Sequence, residues 1–244
     1  MRILVTGATG YIGSQLVQRL SQMPFQIRCL ARDPDRLKDI KNTSIEVCRG
    51  DLLSYDGLRE SFKGIDVAYY LVHSMNSKND FERLECEAAK NFAQAAVENK
   101  IKRIIYLGAL GSEKEGALSP HLQSRKKVGN ILRDSGIQVI EFQASIILGA
   151  GSLSYEMIKA LSEKLLVMIM PKWVSVKAQP IGIKDVLDYL IQAIDLKVER
   201  NEIYEIGGPD QVSYKELIQE YSRQRGLKRF LIPVPVLTPW LSSL

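Results

Sequence analysis

Thr6-Gly7-Ala8-Thr9-Gly10-Tyr11-Ile12-Gly13 follows directly on the apolar run Ile3-Leu4-Val5 and opens a stretch, Tyr11 to Met23, whose apolar residues recur at helical spacing. A strand, a glycine-rich turn and a helix in succession form the first half of a βαβ unit, and Gln26-Ile27-Arg28-Cys29-Leu30-Ala31 supplies its second strand. In such a turn Gly7 permits the tight bend, Gly10 lets backbone approach a bound pyrophosphate, and Gly13 lets the helix pack closely on the strand. The helix start then offers unpaired N–H groups and a positive dipole end to an anion.

The alternation continues through strand-like runs at Ser44 to Cys48, Val67 to Val72, Arg103 to Leu107 and Gln138 to Phe142, with helical segments near residues 54–62, 80–99 and 121–135 between them. Six strands and their crossovers predict an α/β fold, a Rossmann-type doubly wound parallel sheet with its ligand crevice at the carboxyl ends of the strands. After about residue 145 the rhythm loosens into Gly149-Ala150-Gly151-Ser152, a helix through Leu166, a Pro- and Trp-containing apolar stretch, a strand near Ile181, a helix from Ile183 to Leu196 and a strand from Glu202 to Ile206. The expected organisation is therefore a dinucleotide-binding domain over 1–148 and a small substrate-side appendage over 149–244.

At 244 residues, 45% hydrophobic and 25% charged, the chain has ordinary globular composition and can bury a large core. A net charge of +5, spread rather than gathered, suits an anionic ligand without demanding nucleic acid, and no nucleic-acid partner is expected. Cys29, Cys48 and Cys86 lack metal-ligand spacing and read as buried reduced thiols. No metal site is expected. With no secretory signal and no apolar window of transmembrane length, the reading places the chain in the cytoplasm.

The end of the second strand discriminates between dinucleotides. An acidic residue about twenty positions beyond the glycine motif accepts hydrogen bonds from the adenosine ribose of NAD, whereas an arginine there suits the 2′-phosphate of NADP. Here Arg32 stands at that place and Arg36 one helical turn on, which favours NADP(H). Asp33 keeps NAD open, although an N-cap role before Pro34 also accounts for it.

These residues resemble the short-chain dehydrogenase/reductase (SDR) superfamily, specifically its atypical, NmrA-like NAD(P)-binding members. The likeness runs from the glycine motif through Arg32-Asp33-Pro34, Gly50-Asp51-Leu52, Asp66 to His73 and Ser135-Gly136-Ile137, over roughly the first 150 residues. It implies that Asp51 and Leu52 face the adenine and that Leu71, Val72 and His73 run beside the cofactor. Ile206-Gly207-Gly208-Pro209 is similar to the strand and turn of the SDR substrate region. SDR dehydrogenases carry a Ser and a Tyr-x-x-x-Lys, the lysine lowering the tyrosine pKa for proton transfer. Ala109, His121 and Arg125 occupy those places, so that mechanism is not carried over.

The chain's two histidines, His73 and His121, are the candidate proton donors at the crevice, and Tyr155 is a candidate substrate-orienting phenol. The run Leu165 to Val174 reads as core or as the lining of an apolar pocket. Two functions stay open: an oxidoreductase acting on an apolar carbonyl-type small molecule, or a non-catalytic NADP(H)-sensing regulatory or scaffolding protein without a substrate. The C-terminal stretch Phe230 to Leu244 bears no charged side chain, and its early half reads as a strand broken by Pro233 and Pro235. It is read either as a docked terminus or as a fragment edge, continuing into a second domain or a segment that meets a membrane surface.

Overall fold

The structure, a computed structural model, describes residues 1–38, 42–73, 80–111 and 119–234. The first half alternates β1 (Arg2–Thr6), α1 (Tyr11–Leu20), β2 (Gln26–Ala31), β3 (Ile45–Arg49), α2 (Tyr55–Ser61), β4 (Val67–Tyr70), α3 (Phe81–Glu98), β5 (Arg103–Ala109), α4 (Pro120–Arg133) and β6 (Gln138–Ala144). There follow β7 (Ile147–Leu148), α5 (Leu153–Lys164), β8 (Val167–Pro171), β9 (Lys177–Ala178), β10 (Ile181–Gly182), α6 (Ile183–Gln192), β11 (Glu202–Ile206), β12 (Val212–Ser213), α7 (Tyr214–Gln224) and β13 (Phe230–Val234).

The chain forms two compact units, Met1–Ala144 with Leu187–Glu205, and Ser145–Val186 with Ile206 onward. The first is built on a seven-stranded sheet of order β11-β6-β5-β4-β1-β2-β3. The six strands from β6 to β3 pair in parallel. The winding reverses between β1 and β4, the switch point at which an open α/β sheet leaves a crevice. The seventh strand, β11, comes from the region whose sequence rhythm had loosened.

Alternation along the strands divides the core. Leu4, Ala68, Tyr70, Ile104, Tyr106 and Val139 face α2, α3 and α4, where Phe62, Phe92 and Leu132 meet them. Rings there pack edge to face, with centroids 5.0 Å apart for Tyr70–Phe92 and 5.8 Å for Tyr70–Tyr106. On the opposite face the Tyr69 hydroxyl donates to Leu190 O at 2.8 Å, and Arg19 of α1 pairs with Asp188 of α6 at 2.5 Å. Arg103 donates to the carbonyls of Ala193, Ile194 and Leu196 at 2.7 to 2.9 Å, binding the late segment to the sheet.

In the second unit β8 pairs in parallel with β13, from Val167 with Phe230 to Pro171 with Val234. The apolar run therefore becomes a strand, and α5 ends at Lys164, two residues before the expected boundary. Pro233 does not break β13, because among the described residues the strand has a single partner and proline tolerates such an edge. Ile158, Met168, Met170, Val174 and Ile218 form this unit's core. Helix α7 begins with a capping box: Ser213 and Glu216 bond reciprocally, and Lys177 Nζ lies 2.7 Å from both Glu216 carboxylate oxygens. The remainder of the uncharged tail, 235–244, lies outside the described residues. Among the described residues, no helix is long and apolar enough to cross a membrane.

Candidate functional site

A cleft of about 400 Å³ opens in the first unit at the carboxyl ends of its strands, a volume in the range of small-molecule sites. Thr6, Gly7, Thr9 and Gly10 line it from the β1–α1 turn, Leu30, Ala31 and Arg32 from the end of β2, and Gly50, Asp51, Leu52 and Leu53 from the turn after β3. Leu71, Val72 and His73 line it from beyond β4, and Leu84 and Ala88 from α3.

Local chemistry shapes each wall. Gly7 has φ +75°, and a Cβ there would lie 2.5 Å from Leu71 O, so only glycine lets the turn close against the chain leaving β4. Thr6 Oγ1 donates to Tyr69 O at 2.8 Å and ties the ends of β1 and β4 together. Asn91 Nδ2 donates to Leu52 O at 2.8 Å, and Asp51 Oδ1 accepts from Leu53 N at 3.0 Å, which brace the third wall. Tyr11, Ile12 and Gly13 do not line the cleft with side chains; they form the first turn of α1, whose leading N–H groups have no intrahelical acceptor. Its N-cap, Gly10, makes no side-chain cap and the first turn holds no acid. The helix start is therefore open to an anion, and these residues fit a dinucleotide pyrophosphate.

The cleft brings Arg32 to its edge but not Arg36, which is exposed on the short 3₁₀ turn Pro34–Leu37. Asp33 caps that turn, its carboxylate accepting from Asp35 N at 3.2 Å, and it is not part of the cleft wall.

His121 lies in the first turn of α4, after the Ser119 cap and Pro120, its ring stacked on Phe81 at 4.6 Å and 6.1 Å from the His73 ring. Tyr155 belongs to α5 of the second unit, where its ring meets Tyr221 edge to face at 6.0 Å. Ala109 ends β5, and Arg125 donates to Leu107 O at 3.2 Å. The buried Tyr106 hydroxyl donates to Arg125 O at 3.1 Å, and burial pushes this phenol up, away from acid chemistry near neutrality. Two residues absent from the sequence reading stand behind His73: Glu85 of α3, 4% exposed, and Ser124 of α4, fully buried. Glu85 Oε1 lies 2.5 Å from His73 Nδ1, and Ser124 Oγ donates to Glu85 Oε2. The signal was present, since Glu85 falls in the helical stripe with Ala88, Ala89 and Phe92, where a lone charge in an apolar row demands a partner. Among the described residues no cluster of His, Cys, Asp or Glu is arranged to hold a metal.

The second unit has a hollow of its own, about 410 Å³, walled by Met157, Leu161, Met168, Met170, Val174 and Ile218 among others.

The sequence profile of the NmrA-like family matches residues 1–238. The photosystem II assembly factor Ycf39 of Cyanophora paradoxa is 23% identical over 243 residues, 97% of this chain and 72% of that protein. Triphenylmethane reductase of Citrobacter sp., solved in complex with NADP(H), superposes with a TM-score of 0.79 at 21% identity, over 96% of this chain and 79% of that one. UDP-glucuronic acid 4-epimerase from Bacillus cereus, in complex with NAD, gives 0.80 at 20% identity, over 96% and 88%. At these identities the structural likeness speaks to the fold, and the Rossmann-type α/β architecture is shared with them.

Proposed function

We propose that this chain, which belongs to the NmrA-like family, is an oxidoreductase that binds NADP(H) in the cleft of its first unit and acts on an apolar, carbonyl-type small molecule. The observation that carries the choice of cofactor is at the end of β2. Arg32 stands at the cleft while Asp33, the residue that would serve NAD, spends its carboxylate on capping the next turn. A planar guanidinium holds a 2′-phosphate by paired, charge-assisted hydrogen bonds. The uncapped start of α1 receives the pyrophosphate, Asp51 and Leu52 flank the adenine, and Leu71 and Val72 form the apolar wall along the nicotinamide half. The bound reduced nicotinamide supplies a hydride; the protein binds, orients and excludes water. Both the NADP(H)-bound reductase and the NAD-bound epimerase share this fold, which agrees with a nicotinamide ligand.

Ala109, His121 and Arg125 in place of Ser, Tyr and Lys favour a second reading, an NADP(H) sensor without turnover. Calorimetry with NADP(H) and NAD(H), followed by NADPH oxidation over a panel of quinones, enones and aldehydes, tests both. The expected result is preference for NADP(H), a loss of about 10- to 100-fold confined to NADP(H) in Arg32→Ala, and turnover of at least one compound. Equal losses for both cofactors would remove the 2′-phosphate role, and binding without any turnover would select the sensor.

A further inference from the structure

We infer that His73 is the proton-transferring residue of the cleft, and that Glu85 and Ser124 position it. The inference rests on the oxidoreductase reading and supplies what the missing Tyr and Lys leave undone.

His73 lines the cleft, and one of its ring nitrogens is committed: Nδ1 lies 2.5 Å from Oε1 of Glu85. That carboxylate is 4% exposed and anchored from its other oxygen by the Ser124 hydroxyl, itself fully buried on α4. Burying a carboxylate is costly unless its partners are well placed, so this alignment across α3, α4 and the chain after β4 is a built arrangement rather than a surface pairing. A carboxylate at Nδ1 fixes the neutral ring as the Nδ1–H tautomer, which leaves Nε2 as the ring nitrogen that carries a lone pair. It also steadies the imidazolium once Nε2 is protonated. His121 lacks this setting, being exposed in its helix's first turn and stacked on Phe81.

In the direction of reduction, hydride from the reduced nicotinamide forms a C–H bond at the substrate carbonyl carbon. The C=O π pair moves onto oxygen. That oxygen takes the proton from Nε2 of the His73 imidazolium, the N–H bond breaking as the O–H bond forms. The products are an alcohol, the oxidised nicotinamide and neutral His73 with Nδ1–H still on Glu85, and a proton taken up from the bulk solvent restores the imidazolium at Nε2. In the reverse direction Nε2 accepts the alcohol proton.

Two histidines make the spectroscopic test direct, because long-range ¹H–¹⁵N spectra contain only two imidazole sets and His121→Gln assigns them. At alkaline pH wild-type His73 is expected as the Nδ1–H tautomer. Glu85→Met, which removes the acceptor at similar volume, should shift it toward Nε2–H, whereas Glu85→Gln, which keeps an acceptor oxygen, should retain Nδ1–H. His73→Gln should lower kcat by about 10²- to 10⁴-fold on whichever panel compound the wild type reduces, with the NADP(H) Kd changed less than about threefold. Glu85→Met should lower kcat in the same sense. A wild-type Nε2–H tautomer, or one unmoved in Glu85→Met while thermal unfolding confirms the fold, overturns the positioning role. Turnover that survives His73→Gln removes the catalytic role alone, whereas a wild type that reduces nothing removes the oxidoreductase reading together with it.

Discussion

Alanine at Gly13 would separate the mechanical from the ligand-facing duty of the glycine turn. A Cβ added there would lie 2.8 Å from the carbonyl carbon of Gly7 and 3.0 Å from Ala8 Cα, and closer still to Gly7 O. Carbon atoms sit comfortably at about 3.5–4.0 Å, so the start of α1 must retreat from the β1 turn by roughly 0.5–1 Å. Over-packing of this kind costs about 1–3 kcal/mol, and at about 2–4 °C per kcal/mol the unfolding midpoint should fall visibly. The same retreat carries the leading N–H groups beyond about 3.2 Å from a pyrophosphate they would otherwise meet. Losing one charge-assisted bond of about 1.5–3 kcal/mol weakens binding about 10- to 100-fold. Gly10→Ala is the control. Its φ of −82° suits any residue and its added Cβ meets only Gly7 O, at 3.2 Å, yet it faces the cleft. Calorimetry with NADPH and thermal unfolding should show Gly13→Ala impaired in both measures, and Gly10→Ala bound at least tenfold more weakly with a midpoint within about 2 °C of wild type. Wild-type affinity in Gly10→Ala would refute the placement of the phosphate at this turn. An unaffected midpoint in Gly13→Ala would refute the packing argument.

Arg133 pairs with Glu141, whose side chain is 3% exposed, so Arg133→Met should cost about 3–5 kcal/mol in urea unfolding by leaving a buried carboxylate with the neutral Gln143 amide in place of a cation. Adding Glu141→Met should recover much of that loss, and a double variant no better than the single one would contradict the pairing. Lys177 and the Ser213 cap hold the Glu216 carboxyl down from its ordinary 4.5 to about 2. Its contribution is present above about pH 4.5 and is lost as pH falls toward 2, so Glu216→Gln should cost stability near neutrality and converge with wild type in acid. A constant difference down to pH 2 would exclude this linkage.

The legible part of the fold was local. The glycine turn between Val5 and Tyr11 and the β-rich runs after it place six strands within a residue or two, because each strand and crossover helix carries its own periodicity. What periodicity does not encode is partnership at long range. Glu202 to Ile206 was readable as a strand, but not that it would lie beside β6, and Val167 to Pro171 read as apolar without revealing Phe230 to Val234 as its neighbour. The cleft shows the same division. Arg32 follows from the glycine motif and the strand end, and Asp51 and Leu71 to His73 from the family resemblance, whereas Glu85 and Ser124 sit on helices whose facing is decided by packing. Proline was misjudged for the same reason: Pro233 is harmless in β13 because that strand pairs, among the described residues, with β8 alone.

The chain leaves the first unit after Ala144, returns at Leu187 and leaves again after Glu205. A ribosome must therefore deliver the chain as far as Ile206 before β11 can join the sheet. Until then Arg103 lacks its acceptors at Ala193, Ile194 and Leu196, the Tyr69 hydroxyl lacks Leu190 O, and Val139 N lacks the Asn201 side chain. A nascent chain released at residue 144 would thus expose β6 as a bare edge, open to pairing with other chains. Completion of the sheet thus waits on residues made long after Thr6 to Ala88, the part of the chain that lines the cleft.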